Sequence, residues 1–294
     1  MSAKEKQARE DKNAVFRDEQ PVALSVTDPR ANPLAELGIA IPAQTVPLPS
    51  GGRVYPATSP LHMRETVDVK AMTSQEEDII SSRALIKNGT VVSRLLQASL
   101  TDRAIDVGSM LSGDGNALLV AVRVTGYGAA YVSDVQCPKC STQSELEVDL
   151  SALPIKELGI EPVEPGKNEF EVRVPVSGAL VRFKFMTIAD EESILRDEEA
   201  KKKRNIFVDS LVTARHLRSL VSVNGRTEPG LLAKFAQHMP AGDSAFLRRH
   251  VSENEPGIDM SADFECKNPE CGEISRVEVR LGASFFWPDA RKQS

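Results

Sequence analysis

Four cysteines in two close pairs constrain this fold more than any other feature of the sequence. Cys137 and Cys140 are separated by two residues, and Cys266 and Cys271 by four. Thiolates spaced like this on two tight turns are typical of the halves of a tetrahedral zinc site. We therefore predict that all four bind one structural Zn²⁺, which requires two distant parts of the chain to meet. Two disulfides, free thiols or another metal, including an iron–sulfur cluster, are the alternatives.

The compartment expected for the chain favours metal over disulfides. The charged beginning of the sequence lacks the apolar stretch of a secretory signal. No run of about 18 apolar residues predicts a transmembrane helix. We therefore expect the protein to be made and to stay in a cytosol, where thiols are kept reduced.

The two cysteine turns belong to a repeated plan. The segment VDVKAMT at 67–73 resembles VRFKFMT at 181–187, and Gly113-Asp114 has a counterpart in Gly242-Asp243. In both copies the first cysteine follows the glycine of that pair by 24 residues. We predict an α+β fold of tandem duplicated strand–helix–strand halves, joined through a split four-cysteine zinc ribbon, with an extended N-terminal arm. Chance similarity of short motifs is the alternative.

Local patterns predict the elements of each half. Thr73 and Glu76 have the spacing of a capping box at a helix start, and Ser177-Gly178 that of a hairpin turn. Asp114 and Asp243 are predicted to cap helices. Apolar periodicity predicts further helices over 91–100, 115–124, 190–221, 229–238 and 241–253. In the 190–221 helix, the side chains expected to face the core are Phe207, Leu211, Leu217 and Val221.

Composition and the repeat divide the chain into five segments. The first is a charged tail, either flexible or bound to a partner. The second is rich in proline and glycine and is expected to be extended, as a linker or as an arm lying on a neighbouring subunit. The remaining three are the two repeat halves and the connection between them. The boundaries are 1–20 for the tail, 21–66 for the arm, 67–153 for the first half, 154–180 for a connection with a hairpin, and 181–289 for the second half with the aromatic end.

The sequence offers no constellation that assigns a catalytic function. None of the four histidines falls in a metalloprotease pattern or beside a candidate nucleophile, and no glycine-rich loop has the spacing of a nucleotide-binding motif. We therefore predict a non-enzymatic protein without a small-molecule substrate. The net charge of −6 argues against a dominant nucleic-acid role, because phosphate binding calls for a basic surface.

An aromatic cluster lies near the end of the sequence. Phe285, Phe286, Trp287 and Pro288 are consecutive, and Trp287 is the sole tryptophan of the chain. Aromatic clusters anchor interfaces and also fill cores. We predict a partner-binding site here, with packing onto the protein's own zinc ribbon as the alternative.

A set of motifs in this sequence resembles a known family. In chain order they are PLPSGGRVYP, VKAMTSQEEDII, GDGNALLVAVRVTGYG, CPKC, MPAGDSAFLRR, PGIDM, FEC and FFWP. The chain resembles the baseplate hub protein family of T-even-like, contractile-tailed bacteriophages from about residue 47 to 289. It departs from the family in its charged N-terminal arm and in a C-x4-C turn where C-x2-C is usual.

The resemblance implies a virion protein that acts through protein–protein contacts. The expected role is a structural subunit of the tail baseplate hub, assembled in the host cytoplasm, with other baseplate or tail proteins as partners. A hub assembly chaperone that is absent from the mature virion is the main alternative. A zinc-ribbon nucleic-acid-binding protein is a further alternative.

Overall fold

The computed structural model describes residues 22–23, 34–203, 211–279 and 283–286. In these residues the protein is a mixed α/β structure in which the strands form small sheets of two or three strands. No helix in these ranges is both long enough and apolar enough to cross a lipid bilayer. In chain order the elements are β1 Val22–Ala23, β2 Pro42–Pro47, β3 Thr66–Lys70, α1 Ser74–Ser81, α2 Arg83–Asn88, α3 Val91–Ser99, α4 Ser112–Tyr127, β4 Ala130–Gln136, β5 Gln143–Asp149, β6 Ile155–Lys156, β7 Phe170–Arg173, β8 Leu180–Phe183, α5 Ile188–Lys203, α6 Leu211–Ser219, β9 Leu220–Val223, α7 Pro229–His238, α8 Ala241–Asn254, β10 Gly257–Ile258, β11 Ser261–Glu265, β12 Ile274–Glu278 and α9 Ala283–Phe286.

Helix α4 is the central element of the main core. Every residue from Ala117 to Val124 is buried, Arg123 included. A helix that is apolar on nearly all sides is stable only when other elements surround it. Strands β2 and β3, helix α3 and strand β10 pack around α4. The motif GNALLVAVRV is therefore a core helix.

The proline- and glycine-rich stretch differs from the extended arm predicted for 21–66. Strand β2 pairs antiparallel with β3, with Val46 opposite Val67. The loop between these strands is folded into the core, where Val54, Tyr55 and Leu61 are buried. Apolar burial therefore begins near Ile41, well before Val67. Residues 1–21 and 24–33, which include the predicted charged tail, lie outside the described residues.

The hairpin predicted around Ser177-Gly178 is present. Strands β7 and β8 pair antiparallel, with Phe170 opposite Phe183. Phe170, Phe183 and Phe185 form an aromatic cluster with ring centroids 4.5–5.9 Å apart. Strand β9 completes a three-stranded sheet on the other edge of β8. The connecting segment also contributes β6, which pairs with β10.

The long helix predicted for 190–221 is wrong in its last part. Helix α5 extends to Lys203 and α6 covers Leu211–Ser219, but residues 220–223 form strand β9, in which Leu220 pairs with Phe183 of β8. Pairing with a free sheet edge overrides the helical spacing of the apolar residues. The predicted core stripe also fails, because Leu211 and Leu217 are exposed. Residues 204–210, including Phe207, lie outside the described residues.

The two segments predicted to be repeat halves meet at the starts of α4 and α5. The Ser112 N–H donates to the Met186 carbonyl oxygen, and the Ile188 N–H donates to that of Met110, both at 2.9 Å. Gly113 lies against the backbone of a residue near the end of α8, where a Cβ would approach the Pro256 carbonyl oxygen to 1.7 Å. Only glycine permits this backbone contact.

Candidate metal centre

The four cysteine sulfur atoms lie together at one point of the fold. All four are within 4.8 Å of one another. Cys137 Sγ is 3.9 Å from Cys271 Sγ, and Cys140 Sγ is 3.5 Å from Cys266 Sγ. The structure thus brings together the two cysteine pairs that the spacing assigned to one site.

Two hairpins of similar construction present the sulfur atoms. Strands β4 and β5 flank the first turn, and β11 and β12 flank the second. At the base of each turn the first cysteine donates its N–H across the hairpin: Cys137 to the Thr142 carbonyl oxygen and Cys266 to that of Glu273, each at 2.9 Å. The hairpins belong to separate two-stranded sheets, so no backbone ladder in the described chain joins them.

The residue after each second cysteine closes the turn. Ser141 has a φ of 59° and Gly272 a φ of 54°, both in the left-handed region. This conformation reverses the chain and leaves the preceding sulfur pointing back toward that of the first cysteine. The longer second turn gains support from the Asn268 carbonyl oxygen, which accepts the Cys271 N–H at 2.9 Å. Four intervening residues therefore build a turn equivalent to that of the C-x2-C pair.

The sulfur geometry fits a tetrahedral cation. Four thiolates at about 2.3 Å from a zinc ion are separated from one another by about 3.8 Å. The two measured separations, 3.5 and 3.9 Å, lie close to this value. A disulfide would need a sulfur separation of about 2.05 Å, and all four cysteines are free. The arrangement could hold a metal ion with each cysteine supplying one ligand.

The pKa values of Cys140, Cys266 and Cys271 are shifted in different directions. The pKa of Cys140 is lowered to about 6, because its sulfur is hydrogen-bonded to the side chain and backbone of Thr142. At Cys266 a backbone hydrogen bond from Asn268 favours the thiolate, but burial and the neighbouring sulfur atoms oppose it and raise the pKa to about 12. At Cys271 a backbone hydrogen bond from Glu273 favours the thiolate, but burial and the sulfur atoms of Cys140 and Cys137 oppose it and raise the pKa. A cation that binds all four sulfur atoms must therefore displace protons, which makes its affinity rise with pH.

A small apolar cluster lies beneath the sulfur atoms and joins the two hairpins. Val135 and Phe264 are its buried apolar residues, and Leu146 and Val277 pack against them. At the surface, Lys139 of the first turn forms an ion pair with Glu273 at 3.0 Å. This pairing raises the pKa of Lys139, but exposed pairs contribute little to stability. A two-stranded hairpin is marginal by itself, so a bound metal would add a strong tie between these turns.

The aromatic end is divided between core and surface. Phe285 is fully buried, and its ring lies 5.3 Å from that of Tyr131 in an edge-to-face contact. Phe286 is half-buried and packs edge-to-face on Phe285 at 4.9 Å. The Phe285 side chain therefore has no surface to offer a partner. Trp287 and Pro288, the other predicted partner-binding residues, lie outside the described residues.

Sequence reasoning missed the residue that anchors this end. Arg123 is buried in α4, and its Nε donates to the Phe285 carbonyl oxygen at 2.6 Å. Its two terminal nitrogens donate to the carbonyl oxygens of Gly128 at 2.7 Å and Ala130 at 3.2 Å. The signal in the sequence was a single arginine within the apolar run 117–124. A buried cation of this kind needs such acceptors.

The two aspartates predicted to cap helices have a different role. Asp114 lies in the first turn of α4 and accepts hydrogen bonds from the Ser50 N–H at 2.9 Å and from the Tyr55 hydroxyl at 2.5 Å. Asp243, in the first turn of α8, accepts the N–H groups of Val176 at 2.7 Å and Ser177 at 3.0 Å. Each carboxylate thus binds the loop of a neighbouring hairpin, because that loop crosses the start of the helix.

Comparison with protein-family models identifies a related family. A family model described as T4 bacteriophage base plate protein matches residues 42–287. This range includes both cysteine turns, both aspartates and the aromatic end as far as Trp287. The chain matches none of the curated proteins and none of the solved structures with which it was compared.

Proposed function

Since the chain belongs to the T4 bacteriophage base plate protein family, we propose that it is a non-enzymatic structural subunit of the hub region of a contractile phage tail. Family membership implies a place in the tail baseplate among other baseplate proteins. The match over residues 42–287 carries the proposal, since it spans nearly the whole described fold.

A structural metal supports this role better than a catalytic one. Among the described His, Cys, Asp and Glu residues, the four cysteines form a cluster that could hold a metal ion. Four thiolates occupy every position of a tetrahedral zinc ion and leave none for water or substrate. We therefore propose zinc as the ion and a zinc ribbon, split between two distant turns, as the structure it stabilises.

Contacts that occur twice support a duplicated unit. Lys70 at the end of β3 pairs with Glu76 at 2.9 Å, and Lys184 after β8 pairs with Asp190 at 2.6 Å. In each case the same carboxylate also accepts the N–H of the threonine three residues before it. Together with the two aspartate–hairpin contacts, these pairs favour one ancestral plan for the two halves over chance similarity of short motifs.

The baseplate role is tested by the composition of the particle. Mass spectrometry of purified virions of the encoding phage should detect the chain in fixed proportion to known tail proteins. Chemical cross-linking of the same tails should join it to hub proteins in preference to sheath proteins. If the chain is needed for assembly but absent from finished particles, the structural role is wrong and the assembly-chaperone alternative stands. Cross-links confined to the baseplate periphery would exclude the hub.

A further inference from the structure

Two serine hydroxyl groups on the cysteine hairpins are buried without a partner. Ser144 Oγ on β5 and Ser275 Oγ on β12 make no hydrogen bond with any described residue. Buried polar atoms are nearly always hydrogen-bonded in folded proteins, because leaving one unpaired destabilises the fold. A serine hydroxyl carries one donor hydrogen, which rotates to suit its partner. Each of these hydroxyls therefore calls for an acceptor close by.

The two serines occupy equivalent positions in their hairpins. Ser144 follows the second cysteine of the first turn by four residues, and Ser275 follows that of the second turn by four. Across its hairpin, each serine lies opposite the residue that stands two positions before the first cysteine. These opposite residues are Val135 and Phe264. The same relation to the sulfur atoms thus occurs twice in the structure.

This register places both serines on the face of the hairpin that carries the sulfur atoms. Val135 and Phe264 are buried in the cluster beneath the cysteines, and residues directly opposite in an antiparallel pair share one face. On this face Ser144 is the diagonal neighbour of Cys137, and Ser275 that of Cys266. The remaining side chains of the cluster are hydrocarbon, so the acceptors it offers are the cysteine sulfur atoms.

The first hairpin already shows a hydroxyl in contact with a sulfur atom. Thr142 Oγ1 lies 3.2 Å from Cys140 Sγ, and Ser144 comes two residues later, on the same side of the chain. A neutral thiol is a weak acceptor. A sulfur that binds a metal carries negative charge, and hydrogen bonds to ionised acceptors are about twice as strong as neutral ones. A hydroxyl at this position would therefore favour the metal-bound state over the metal-free state.

We propose that Ser144 and Ser275 are positioning residues of the metal centre, and that each donates its hydroxyl hydrogen to a cysteine sulfur atom: Ser144 to Cys137 and Ser275 to Cys266. The two hydrogen bonds orient the sulfur atoms and offset part of their negative charge. The inference rests on the metal site proposed above and adds two side chains to its four ligands. Groups that support metal ligands in this way typically change metal affinity by about 10–100-fold.

The test uses the full-length protein with Zn²⁺ and Co²⁺ as probes. In competition with a chromophoric chelator, Ser144→Ala and Ser275→Ala should each bind Zn²⁺ about tenfold more weakly than wild type. In the Co²⁺-loaded variants the sulfur-to-cobalt charge-transfer band should move to lower energy, because a sulfur that loses a donor holds its electrons less tightly. Ser112→Ala is the matched control, since Ser112 Oγ on α4 is also buried and unpaired but lies outside the cysteine cluster. Its Zn²⁺ affinity and Co²⁺ spectrum should equal those of wild type.

The metal-free protein separates the proposed role from a packing role. Each serine-to-alanine variant should be at least as stable as wild type in urea without metal, because it removes an unpaired polar group, and less stable than wild type with Zn²⁺ bound. Equal gains in stability with and without Zn²⁺, at unchanged affinity, would overturn the proposal. A loss of affinity without a shift of the charge-transfer band would overturn it as well. Wild type that binds neither ion would refute the metal site itself, and the role of the serines with it.

Discussion

Removing one cysteine should loosen the whole metal centre. In Cys137→Ser a buried ligand is lost, and three thiolates would hold zinc far more weakly. Cys140 and Cys266 are 126 residues apart in sequence, yet their sulfur atoms are 3.5 Å apart. A cross-link that closes a loop of this length restricts the unfolded chain by about 5 kcal/mol on the chain-entropy estimate for disulfides. A metal that binds both turns acts in the same way. The variant should therefore lose up to about 5 kcal/mol of unfolding free energy.

The assay combines metal content with stability. Elemental analysis should find one zinc per wild-type chain and none in Cys137→Ser. Urea unfolding followed by circular dichroism should show that a chelator destabilises wild type but leaves the variant unchanged. Lys139→Ala is the control, because it removes the ion pair between the same two turns without removing a ligand; its zinc content should be normal and its stability close to wild type.

A double-mutant comparison provides the sharpest refutation. If one site couples the two turns, adding Cys266→Ser to Cys137→Ser should cost little more than either change alone. Additive losses would mean that the two turns act independently. Wild-type protein purified without zinc and insensitive to chelators would remove the basis of the argument.

Three further perturbations act on buried polar groups, each measured by urea unfolding. Burial raises the pKa of Glu255 from 4.5 to about 7. The folded protein therefore binds a proton that the unfolded chain releases in this pH range. The unfolding free energy of wild type should fall by up to about 3 kcal/mol as pH rises from about 4.5 to about 7. Glu255→Gln should abolish this loss and exposed Glu253→Gln should retain it; equal pH profiles would contradict the assignment. Tyr55→Phe leaves Asp114 with one donor fewer and should cost about 1–3 kcal/mol; an unchanged midpoint would contradict this. Glu76→Ala leaves buried Lys70 without its ion-pair partner and should lower the unfolding free energy by about 3–5 kcal/mol. A loss below about 1 kcal/mol would mean that the Lys70–Glu76 pair is solvated.

The cysteine cluster was predictable because its signal is local. Each cysteine pair specifies a turn within a few residues, and the chain has no other cysteines with which to complete the ligand set. The capping box at Thr73 was predictable for the same reason, and Glu76 does accept the Thr73 N–H at 2.9 Å. Patterns that are satisfied within one turn survive regardless of the rest of the fold.

The failed predictions concern contacts made across the fold. Val221 continues the helical spacing set by Leu217, but the free edge of β8 lies beside residues 220–223 and pairs with Leu220. The segment after β2 has the composition of a loop, but Tyr55 is drawn inside by the Asp114 carboxylate. Neither the edge of β8 nor the Asp114 carboxylate is adjacent in sequence to the segment it contacts. Local composition and periodicity therefore could not predict these contacts.

The equal 24-residue spacing between each Gly-Asp pair and its cysteine turn reflects how the site is assembled. In the first half the path comprises α4, with 16 residues and about 24 Å of rise, and then β4, which ends directly before Cys137. In the second half it comprises α8, β10 and β11, which ends directly before Cys266. Both paths start where an aspartate binds a hairpin loop, and both must end with sulfur atoms within 4.8 Å of one another. A residue added to either helix would rotate the next strand by about 100°, and one added to either strand would turn the cysteine to the opposite face. Shared end points therefore maintain the spacing even where the residues between them differ.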